Sequence, residues 1–89
     1  MVYRLNLFLH SSYKYMWIVT IDCSTDAWKQ ANAAFLALVD KYQGTCVSSK
    51  KTPKGDRTME YKIEDVTDAE SFQDECQSLA GFTARFESL

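Results

Sequence analysis

Apolar and polar residues alternate along several short stretches of the chain and recur at helical spacing along two others. From Val2 to His10, Tyr3, Leu5, Leu7 and Leu9 alternate with Arg4, Asn6 and His10, the period of a half-buried strand. His10-Ser11-Ser12 breaks that run, and Tyr15 to Ile21 follows as a denser β stretch suited to a central strand. Ser24-Thr25-Asp26 offers N-cap chemistry. Beyond it Trp28, Ala31, Phe35, Leu38 and Tyr42 recur at steps of three and four, with Ala34 and Val39 beside them, which predicts an amphipathic helix stopped at Gly44. Thr45 to Lys50 and Arg57 to Glu64 read as a hairpin around Lys51-Thr52-Pro53-Lys54-Gly55-Asp56, with Met59, Tyr61 and Ile63 on the inner face. Thr67-Asp68-Ala69-Glu70 has the form of a capping box with Thr67 at the cap. Phe72, Cys76 and Leu79 mark the buried stripe of a short helix ended by Gly81, and Phe82, Ala84 and Phe86 face inward on a last strand, Phe82 to Glu87.

From Tyr13 onward the order is β-α-β-β-α-β. That predicts an α+β domain of ferredoxin-like type, in which two helices cover one face of an antiparallel sheet. The strand from 2 to 9 is extra and has to add at an edge, displace a neighbour or pair with another chain. With 89 residues the chain makes one domain, 1–89, and its 46% apolar content suffices for one core and argues against disorder.

The net charge of −2 argues against a protein dominated by attraction to phosphate backbones. Three cysteines, Cys23, Cys46 and Cys76, are widely spaced and form no C-x-x-C, so neither a zinc ribbon nor a redox dithiol is expected, and no metal or cofactor. Free thiols fit a reducing compartment, and the expected location is the cytoplasm. No stretch approaches the roughly 20 apolar residues of a membrane span.

The second half of the chain carries a likeness. Ser48-Ser49, Pro53-Lys54-Gly55, a strand, and then Val66-Thr67-Asp68-Ala69-Glu70-Ser71 resemble the YbeD-like family of small bacterial proteins, and Tyr13-Lys14-Tyr15 resembles that family's opening strand. The resemblance covers roughly residues 13–89. It departs at Asp56, where an aromatic is often found, at the longer connection from first strand to helix, and at the leading strand. It implies a ferredoxin-like domain similar to ACT regulatory modules, without established enzymatic activity, and brings no catalytic residues.

Three groups of residues are candidates for contact. Lys50, Lys51, Lys54 and Arg57 surround the hairpin turn and suit an acidic partner, although a solvated hairpin tip needs no partner at all. Glu60, Glu64, Asp68, Asp74 and Glu75 form an acidic set, which also complements a helix dipole. Tyr13, Tyr15 and Trp17 suit either core packing or a sheet-face interface for a dimer. Catalysis is not expected: no phosphate-gripping G-x-x-x-x-G-K-[ST] is present, and His10 beside Ser11 cannot form a nucleophile–base pair on an extended strand. The pattern therefore predicts a regulatory or interaction domain that docks on another protein or binds a small ligand at a homodimer interface. An inhibitor from a phage or mobile element, blocking a host nucleic-acid-handling complex with the acidic set, is the alternative. Weak nucleic-acid binding by the basic turn ranks third.

Overall fold

The computed structural model describes residues 16–88. The elements run β1 (Trp17–Cys23), α1 (Thr25–Lys41), β2 (Thr45–Lys51), β3 (Arg57–Ile63), α2 (Val66–Gln77) and β4 (Phe82–Ser88). The four strands form one antiparallel sheet in the order β2-β3-β1-β4, so the expected ferredoxin-like α+β arrangement is present with β1 beside β3 and β4. The strand read at 2–9, with His10, Tyr13 and Tyr15, lies outside the described residues.

Alternation decides which side of the sheet is dry. Val19, Ile21 and Cys23 of β1 and Met59, Tyr61 and Ile63 of β3 are buried, and Phe82 joins them from β4. The helices meet this face with Ala27 and Phe35 from α1 and Ala69, Phe72 and Cys76 from α2. Phe35 is fully buried, and its ring touches Trp28, Tyr61, Phe72 and Phe82 at centroid distances of 5.9, 5.5, 6.1 and 5.7 Å. Each large side chain buried here contributes roughly 1.5–3 kcal/mol.

Three local expectations are corrected. The first strand runs two residues past Ile21. Asp22 is tolerated there because it points away from the helices, where its carboxylate accepts from the Thr58 hydroxyl at 2.6 Å and lies 3.4 Å from Arg85. Gly44 is not the residue that turns α1 aside: Gln43 takes the left-handed conformation (φ 54°). The amides of Gln43 and Gly44 then close on Asp40 O (3.2 Å) and Val39 O (2.9 Å), a Schellman stop with glutamine in the usual glycine place. Finally, α2 is capped by Asp65 rather than Thr67. The Asp65 carboxylate accepts from the amides of Thr67 and Asp68 at 2.7 and 3.1 Å. An ionised acceptor at the positive helix end outcompetes a hydroxyl two residues later.

Gly81 is required on two counts. Its φ is +81°, and a Cβ there would stand 2.6 Å from the Ala27 Cβ. Gly44 meets no atom nearer than 3.5 Å. Gly81→Ala is therefore expected to destabilise the domain by about 2–4 kcal/mol and Gly44→Ala by less than about 1 kcal/mol. Denaturant midpoints check this, and equal costs would contradict the assignment of strain to Gly81.

Burial also sets the thiols apart. Cys23 and Cys76 are buried and Cys46 is exposed, all three free. Burial pushes the Cys76 thiol up to about 12, with the Glu75 charge adding to it, and pushes Tyr61 to about 12 as well. Both groups stay neutral when folded but ionise near their ordinary values of 9.0 and 10.0 when unfolded. Their contribution is complete below those values and is lost as pH rises toward 12. A thiol reagent should titrate Cys46 alone in the native protein at neutral pH, and the unfolding midpoint should fall as pH rises above about 9. Equal labelling of all three cysteines before unfolding would refute the burial of Cys23 and Cys76.

Candidate functional site

The ends of four segments converge on a hollow of about 350 Å³: the last residues of β1, the cap of α1, the β2–β3 turn and the entry to β4. The turn is held closed by its own backbone. The Thr52 amide donates to Asp56 O and the Gly55 amide to Thr52 O, both at 2.8 Å. Gly55 takes a φ of +93°, and the Thr25 hydroxyl donates to Lys54 O at 3.4 Å, so the turn leans on the first residue of α1. A side chain on Gly55 would run into that hydroxyl.

Residues of both charge signs and several hydroxyl-bearing residues line the hollow. Asp22 is held by Thr58 and Arg85. Arg57 lines the hollow, and its guanidinium lies over the Trp28 ring on the helix-facing side, 4.5 Å from the centroid. Asp56 is exposed beside it. Ser24 contributes a hydroxyl already accepting from the Ala27 amide, and Thr52 and Thr83 contribute two more. Cys23 also lines the hollow, its thiol raised by burial against the opposing pull of Arg57, so it is protonated at neutral pH. Among the described residues no histidine stands near these hydroxyls to act as a base, and no group of three or more His, Cys, Asp or Glu side chains is placed to hold a metal ion. The arrangement holds no activated nucleophile among the described residues; its polar lining can orient a small polar molecule.

The structure divides the basic set. Lys50 stands opposite Thr58 on the face away from the helices, and Lys51 stands opposite Arg57 on the helix-facing side. Lys54 sits on the exposed turn, and Arg57 alone of the four lines the hollow. The acidic set is also divided. Glu60 points to the face away from the helices, while Asp68, Asp74 and Glu75 belong to α2. Glu64 and Asp68 line a second hollow of about 240 Å³ with Tyr42 and Lys62. Glu75 bridges the helices: it accepts from the Tyr42 hydroxyl and pairs with Lys41 Nζ at 3.2 Å. Trp17 lies on the helix-facing side, edge-on to Phe86 at 5.6 Å. Sequence reasoning missed Asp22, Asp56, Ser24 and Thr83. Their one visible signal was a cluster of small polar residues at element ends.

Comparison with solved structures agrees on the architecture. The chain is similar to the uncharacterized protein TM1266 of Thermotoga maritima, with a TM-score of 0.60 and 14% identity over 83% of this chain and 95% of that one. It is similar to the ACT domain of the GTP pyrophosphokinase of Chlorobium tepidum, with a TM-score of 0.61 and 9% identity over 82% and 97%. A third likeness is to the C-terminal domain of the MgtC protein of Mycobacterium tuberculosis, with a TM-score of 0.59 and 11% identity over 83% and 86%. No family model and no curated protein matches the sequence significantly. What these likenesses establish is the ferredoxin-like fold; no family match supports the narrower YbeD-like resemblance. No helix among the described residues is long and apolar enough to cross a membrane.

The Tyr42 hydroxyl and then the Lys41 ammonium hold the Glu75 carboxyl below its ordinary value of 4.5. A depressed carboxyl contributes stability that is present above its unfolded value and lost as pH falls through the folded one. Stability should therefore decline below about pH 4.5, and Glu75→Gln should flatten that decline in denaturant titrations at stepped pH. An unchanged acid slope in the variant would show that Glu75 carries none of it.

Proposed function

We propose that the chain is a non-catalytic regulatory domain that works in the cytoplasm by taking up a small polar ligand, or by docking on a partner protein, at the hollow between β1, α1 and the β2–β3 turn. The observation that carries this reading is the hollow itself, about 350 Å³, lined by residues of both charge signs, Arg57 with Asp22 and Asp56, beside the hydroxyl-bearing Ser24, Thr52 and Thr83. Groups of both signs at a helix start suit a ligand that itself bears both charges, and they suit catalysis poorly because the buried thiol stays protonated. The structural likeness to an ACT domain supports a regulatory role in the same direction. The inhibitor reading relies on an acidic face that spans two sides of the sheet, and it is the weaker of the two for that reason.

A nitrogen-15 NMR titration against amino acids, mononucleotides and small dicarboxylates tests the proposal. Shift changes are expected to gather at Ser24, Asp56, Arg57 and Thr83. Arg57→Gln and Asp56→Ala are each expected to weaken binding about tenfold or more while leaving the fold intact. A ligand or partner protein whose footprint avoids these four residues sinks the proposal, and so does a ligand that the two variants bind unchanged.

A further inference from the structure

The two edges of the sheet are built differently. On β2 the register slips between Cys46 and Ser48, leaving Val47 in a bulge, and Lys50 and Lys51 follow. A bulge and lysines are devices that keep an edge strand from pairing with another chain. The register of β4 against β1 runs without a slip from Phe82 to Ser88, with neither proline nor glycine inside it. Among the described residues nothing pairs with its outer side.

The charges along β4, the edge strand among the described residues, are spaced for self-recognition. Arg85 and Glu87 are two residues apart and so share a face, the one turned from the helices. In an antiparallel pairing of two β4 strands about a two-fold axis, side chains of one face must meet their own kind of face, which limits the choice of register. An axis at Arg85 sets arginine against arginine. An axis at Phe86 sets Arg85 against Glu87 of a second copy, twice by symmetry, with the two Phe86 rings adjacent on the helix-facing side. The geometry points to a homodimer through β4, with its axis at Phe86, that joins two four-stranded sheets into one. This pairing stands independently of any ligand at the hollow.

Sedimentation equilibrium of the full chain tests it. Five paired residues make a small interface, so association is expected at about 10 µM to 1 mM. Arg85→Glu and Glu87→Arg should each weaken it about tenfold or more, and the two combined should restore it. Arg85 also meets Asp22 within its own chain, so Glu87→Arg is the variant that reads the interface alone. Val47→Lys on the bulged edge should change nothing. A monomer at every concentration overturns the proposal, including one whose β4 amides are protected from exchange by its own leading segment. A dimer indifferent to the charge reversals, one not restored by combining them, or one lost in Val47→Lys overturns it equally.

Discussion

The ring of Phe35 is the contact on which the domain depends. It projects from the middle of α1 and meets Tyr61 from β3, Phe72 from α2 and Phe82 from β4, while Trp28 closes over it from its own helix. One side chain thus ties both helices to the sheet. A chain of 89 residues buries a modest share of its surface, and the net stability of any domain is a small remainder of large opposing terms. Such a chain cannot spread its cohesion over many independent contacts, and aromatic rings concentrate it.

That concentration explains where polar chemistry collects. With one face of the sheet given to the aromatic core, Asp22, Thr58, Glu60 and Arg85 occupy the other face. The core also needs Gly81 to bring the start of β4 against Ala27, and this approach shapes one wall of the hollow. Arg57 belongs to both worlds: its guanidinium rests on Trp28, a residue packed against the core, while the residue is also part of the lining of the hollow. The site is therefore a consequence of how the core closes rather than an ornament on a finished fold.

The inward residues of β3 and β4 and the buried stripe of α2 were legible because alternation and helical spacing report which side faces oil. The ends of elements were less so. Asp65, not Thr67, caps α2, since several short polar residues compete at such a boundary and the winner depends on where the preceding strand releases the chain. Gln43, not Gly44, turns left-handed after α1, because the length of that helix sets which residue arrives at the turn. The basic set looked like one surface in the sequence. A strand sends neighbours to opposite faces, and so Lys50 and Lys51 part company.

By itself the sequence determined the order of the elements from β1 to β4, the inner faces of β3, β4 and the helices, and the fold class, because these follow from the local periodicity of apolar residues. Only the tertiary structure decided that Asp22, Arg57 and Thr83 stand around one hollow, that Glu75 joins α2 to Tyr42 and Lys41, and that β4 rather than a bulged β2 offers a regular edge. Those placements unite residues as many as 61 positions apart, from Asp22 to Thr83. Strand order and register bring such residues together, and no local pattern along the chain encodes either.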